Sequence, residues 1–108
     1  MNEQQLRDYL LEFDGTIEDR NTDEKLSLFR VGENGAIFAG LEKSADPARI
    51  SLRCDRLLAK NLRQKYETVL GASKFDPKTW NTVIVTGQLS DDEVRDLIRL
   101  SYNLTTEL

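Results

Sequence analysis

Histidine is absent from the 108 residues. That removes Ser-His-Asp and Cys-His catalytic constellations and every zinc site built on imidazole. The single cysteine, Cys54, excludes an intrachain disulfide and a thiolate metal cluster. Six scattered glycines form no glycine-rich phosphate loop, and no calcium-loop motif occurs. Long hydrophobic runs are missing too: nothing approaches the ~20 apolar residues of a membrane span. The charged opening stretch MNEQQLRDYLLEFDG lacks the apolar centre of a signal peptide. These absences set the expectation of a cytoplasmic, non-enzymatic chain with no membrane contact, no metal and no cofactor. Carboxylate-only magnesium or calcium chemistry is the one metal option they leave open.

What is present suits one domain over residues 1–108. Charged residues make up 31% and apolar residues 39%, a solvated surface around a modest core. Charge is unevenly placed. Residues 1–24 carry eight acidic and two basic side chains, residues 25–80 eleven basic and six acidic, and residues 81–108 two basic and five acidic. The middle segment is either a fluctuation about an acidic mean or a patch for an anionic partner.

Residues 2–13 read as a helix, with Leu6, Tyr9, Leu10 and Phe13 on one stripe and Asp14-Gly15 as its stop. Residues 16–24 are polar and read as a connection. Lys25–Val31 and Ala36–Leu41 read as strands joined by Gly32-Glu33-Asn34-Gly35, a hairpin signal. Arg49–Arg53 alternates as a third strand. Asp55 is placed to cap a second helix carrying Leu58, Leu62 and Tyr66, with Gly71 beyond its end. Residues 72–75 suggest a short strand, and Trp80–Thr86 is β-branched and aromatic, a firm strand pattern. Ser90-Asp91-Asp92-Glu93 is a capping box opening the last helix, whose apolar positions are Val94, Leu97, Ile98 and Leu104. The expected architecture is α+β: an antiparallel sheet of four to five strands with helices packed on one face.

Several runs together resemble one family. They are LSLFRVGENGAIFAGLEK at residues 26–43, ISLRCD at 50–55, Lys78-Thr79-Trp80-Asn81-Thr82-Val83, Gly87, Ser90-Asp91-Asp92-Glu93 and Ser101-Tyr102. Their order and spacing resemble the MmcQ/YjbR family of small bacterial proteins, over about the whole chain and most strongly from Ile50 to Tyr102. The resemblance implies a double-wing α+β fold and a DNA-binding role, and it brings no catalytic residues. The chain departs from the family pattern at two places. An acidic run around Asp19–Glu24 replaces a Pro-Phe-Gly-like segment, and Thr79 stands where a histidine commonly sits beside the tryptophan.

The candidate nucleic-acid contacts are Arg49, Arg53, Arg56, Lys60, Arg63, Lys74, Lys78 and Trp80. The cations either line a solvated strand and helix face or contact phosphates, which positions a duplex without reading its sequence. Trp80 either packs on the sheet or stands exposed between Lys74 and Lys78 to stack on a base. Cys54 reads as a small buried hydrophobe, although Arg53 and Arg56 nearby would lower a thiol pKa. Ser101 and Tyr102 are expected to bond backbone or sheet. The expected partner is double-stranded DNA, bound by a monomer; the alternative is a protein-interaction or adaptor domain with a protein partner and no nucleic-acid role.

Overall fold

Three helices and six strands follow from these patterns in the computed structural model, which describes residues 1–107. The order is α1 (Glu3–Leu10), β1 (Ile17–Asp19), β2 (Leu26–Val31), β3 (Ala36–Glu42), β4 (Arg49–Arg53), α2 (Arg56–Lys65), β5 (Val69–Gly71), β6 (Trp80–Ile84) and α3 (Asp91–Thr106). All strand pairs are antiparallel, in the order β1-β2-β3-β4-β6-β5. The α+β expectation holds, with one or two strands more than expected.

The two strands that differ from expectation, β1 and β5, sit at sheet edges. β1 lies inside the stretch read as a connection. β5 lies at residues 69–71 rather than 72–75, because α2 ends at Lys65 and the chain turns straight back into the sheet. The hairpin 32–35 turns as expected, but Gly32 and Gly35 carry the positive φ, at 80° and 63°, while Asn34 does not. Such φ values favour a residue without Cβ.

Each helix start is fixed locally. Asn2 and Gln5 form a capping box on α1, Asp55 accepts from the Leu58 N–H on α2, and Ser90 and Glu93 form the box on α3. α1 is shorter than its apolar stripe. It ends at Leu10, and Phe13 follows in a turn, where its ring meets Tyr9, Phe38 and Tyr102.

Cross-strand partners share a face because side chains alternate along a strand. One face carries Phe29, Ala39, Leu41, Ile50, Leu52, Val69 and Val83, and packs with Leu6, Leu10, Val94 and Ile98 of the helices. The other face carries a row that crosses all six strands: Asp19, Leu28, Gly40, Ser51, Thr82 and Leu70. Segment 72–79 folds over part of this second face. Its Phe75 ring lies against Gly40, where any Cβ would come within 3.2 Å of the ring. On α3 the buried positions are Val94, Ile98, Ser101 and Thr105, so two hydroxyl side chains occupy the inner face where Leu97 and Leu104 are only half-buried.

Candidate nucleic-acid interface

Spacing alone aligns three of the cations. Arg56, Lys60 and Arg63 stand at i, i+4 and i+7 of α2 and therefore share one helix face. Lys78 joins them from segment 72–79, and the four, with Leu57, line one shallow open hollow. The segment is held there by backbone contacts. Asp76 accepts from the Lys78 N–H at 3.0 Å, and the Arg63 guanidinium donates to the Pro77 carbonyl at 2.9 Å. Arg63 also donates to Asn81 Oδ1 at 2.7 Å, and Asn81 Nδ2 donates to the Ala59 carbonyl. Arg63 thus ties α2 to β6, while Arg56, Lys60 and Lys78 are exposed. Among the described residues none of the four has an acidic partner within ion-pair distance.

The remaining candidates lie elsewhere. Arg49 is exposed on the sheet face opposite the helices and lines a different hollow together with Lys74. Lys74 is paired with Asp23 at 3.1 Å. Arg53 is half-buried: its Nε donates to Thr105 Oγ1 at 3.1 Å, and its guanidinium lies 4.9 Å from the Trp80 ring centre. Burial lowers the Arg53 pKa.

Trp80 requires a correction. It is 4% exposed, and Phe75 stacks on it at 4.1 Å between ring centres and 12° between planes. A base has no open indole face to stack on, because segment 72–79 supplies its own aromatic ring. The packing reading of Trp80 is the one the geometry carries. Segment 72–79 also separates Lys74 from Lys78, which line different hollows. The eight candidates therefore divide into an α2 cluster, a sheet-face pair and an inward-facing Arg53–Trp80 contact.

Cys54 is buried at the junction of β4 and α2. Burial first, then the neighbouring Asp55 charge, pushes its thiol up to about 11, against the smaller opposing effects of the Asp55 backbone hydrogen bond and of Arg63. At neutral pH the thiol therefore stays protonated. Ellman's reagent is expected to react far more slowly with the folded protein than with the urea-unfolded chain. Equal rates would show that the thiol is neither buried nor suppressed. No group of three or more acidic or cysteine side chains is placed to hold a metal ion among the described residues. No helix among them is long and apolar enough to cross a membrane.

The family model described as YjbR matches residues 11–104. Among solved structures, Deinococcus radiodurans protein DR2400, described with the family-model domain DUF419, is 27% identical. It superposes with a TM-score of 0.91, covering 98% of this chain and 79% of that one. The crystal structure of a Pseudomonas syringae protein is also 27% identical, with a TM-score of 0.82 and coverage of 97% and 99%. A solution structure of a Pseudomonas syringae protein gives 0.76 at the same identity, with coverage of 97% and 93%. No curated protein matches the chain.

Proposed function

The chain belongs to the YjbR family, and we propose that it is a non-catalytic cytoplasmic binding module whose α2 hollow contacts the phosphates of double-stranded DNA. One observation carries the reading: Arg56, Lys60, Arg63 and Lys78 converge without a carboxylate partner among the described residues. Like charges held together lower their mutual repulsion when they meet a polyanion. The exchange also releases counterions from the duplex. The net charge of −4 opposes long-range attraction, but thirteen of the nineteen acids lie in residues 1–24 and 81–108, outside the segment that carries the cluster. Asp91, Asp92 and Glu93 open α3, and the Met1 ammonium bonds Asp91, which brings the acidic α1 beside them.

Fluorescence anisotropy with a labelled duplex tests the reading. Three phosphate contacts predict a log–log salt slope of about −2.7, hence roughly fortyfold weaker binding at 200 than at 50 mM salt. The triple variant Arg56→Glu, Lys60→Glu, Lys78→Glu leaves Arg63 and its structural bonds in place, and is expected to abolish binding. Binding that ignores salt or survives the triple variant would sink the proposal.

Leu57 supports a second reading. It is 68% exposed among the cations, an arrangement that fits an acidic protein partner with an apolar anchor. A pull-down that retains the same partner after nuclease treatment, and loses it on Leu57→Asp, would favour this adaptor role over DNA.

A further inference from the structure

The sheet face away from the helices holds a second hollow of about 370 Å³. Its floor includes Ser51 and Thr82, directly paired across β4 and β6. Lys25, Arg49 and Lys74 line it, as do Leu26 and Leu70, with Glu42 the one carboxylate of the lining. Only Lys74 among these cations has an ion-pair partner within the described residues, Asp23.

Two features make this more than a solvated strand face. The Ser51 and Thr82 hydroxyl oxygens are 2.7 Å apart and share one hydrogen bond. Two hydroxyls carry two hydrogens, so one remains to donate to a third group. Lys74 is neutralised by Asp23, so Lys25 and Arg49 against Glu42 leave one positive charge in excess, which favours an anionic group such as a phosphomonoester. The volume is at the small end of ligand pockets and far too small to admit a duplex. Leu26 and Leu70 offer apolar surface for an organic body.

We propose that this hollow is a site for a small phosphomonoester, nucleotide-sized or smaller. Arg49 and Lys25 would bind the phosphate, the Ser51–Thr82 pair would donate to it, and the leucines would contact the organic part. The site does not depend on the DNA reading, because none of its lining residues belongs to the α2 hollow.

Amide NMR titration in phosphate-free buffer tests it, with AMP, ribose 5-phosphate, inorganic phosphate and unphosphorylated ribose as probes. AMP and ribose 5-phosphate are expected to shift amides at Leu26, Ser51, Gly71, Ser73 and Thr82 saturably. Inorganic phosphate should bind more weakly and ribose should not bind. Arg49→Glu and Lys25→Glu are expected to weaken binding tenfold or more, as the loss of a charge-assisted contact does. Both side chains are exposed, and the amide spectrum itself reports whether each variant stays folded. The double variant Arg56→Glu, Lys60→Glu should bind as the parent does. Shifts centred on residues 56–63, insensitivity to Arg49→Glu, equal affinity for inorganic phosphate, or no shift at millimolar probe would each overturn the assignment.

Discussion

Ser101→Ala is expected to destabilise the protein by about 2–5 kcal/mol, far more than loss of an ordinary surface hydroxyl. Ser101 is fully buried on α3. Its hydroxyl donates to the Phe38 carbonyl and accepts from the Arg53 N–H at 2.8 Å. The β3–β4 register runs through Ala39 and Leu52, and Phe38 and Arg53 stand one step beyond. A register irregularity also falls here, since Phe29 pairs with Ala39 and Arg30 with Ile37, leaving Phe38 as the extra residue. The serine therefore serves as one rung of the sheet, supplied from a helix. Alanine would leave a backbone donor and a backbone acceptor without partners, each at a cost of about 1–3 kcal/mol. Urea unfolding measures the loss. Thr106→Ala is the control, because that hydroxyl is exposed and bonds only carbonyls of its own helix. A loss for Ser101→Ala no larger than the control's would mean that the rung is dispensable.

Glu18→Gln is expected to cost about 2–3 kcal/mol at neutral pH, somewhat less than a buried charge left with no partner at all. Glu18 accepts from Arg7 Nε at 3.0 Å, from Arg20 Nε at 2.8 Å and from the Ser27 hydroxyl. Arg7 is 9% exposed and would keep only Glu3, at 3.1 Å, as a charged partner. The pH dependence has a definite sign. Burial alone raises the Glu18 pKa, but the hydrogen bonds from Ser27, Arg20 and Arg7 outweigh it and hold the carboxyl below its ordinary 4.5. A depressed carboxyl stabilises the fold fully above the unfolded value, and that contribution disappears as pH falls through the folded value. Asp19, held low by the Thr22 hydroxyl, the Asn21 N–H and Arg30, acts in the same direction and remains in the variant. The stability gap between parent and Glu18→Gln should therefore narrow on acidification below 4.5. A gap that stays constant from neutral to strongly acid pH would show that the charge of Glu18 contributes nothing.

Glu18 also explains what the sequence concealed. A half-buried strand is normally recognised by apolar residues on its inner face. In β1 the relation is inverted: Ile17 is 69% exposed, and the residue facing the helices is the carboxylate that meets Arg7. No periodicity marks such a strand, and a short edge with an inward charge resists further strand pairing. The central strands, by contrast, were legible, because β2, β3, β4 and β6 are β-branched, aromatic or alternating. The capping box at Ser90 and the cap at Asp55 likewise follow from local chemistry alone.

The candidate site was legible to the extent that it is helical. Arg56, Lys60 and Arg63 fall on one face by spacing. Lys78 joins them only because Arg63 and Asp76 fix segment 72–79, and that fold depends on Gly40 accepting the Phe75 ring. Lys25 and Arg49 line the same sheet-face hollow because of the strand order, which no local pattern encodes.

The stack of Phe75 on Trp80 has an optical consequence. Trp80 is the only indole in the chain, so its emission reports a single place. That place is the underside of segment 72–79, which supplies Ser73 and Lys74 to one hollow and Lys78 to the other. Any occupant that lifts or presses this segment changes the polarity around one fluorophore. The protein thus carries an intrinsic reporter beneath both surfaces, and neither needs a label to be monitored.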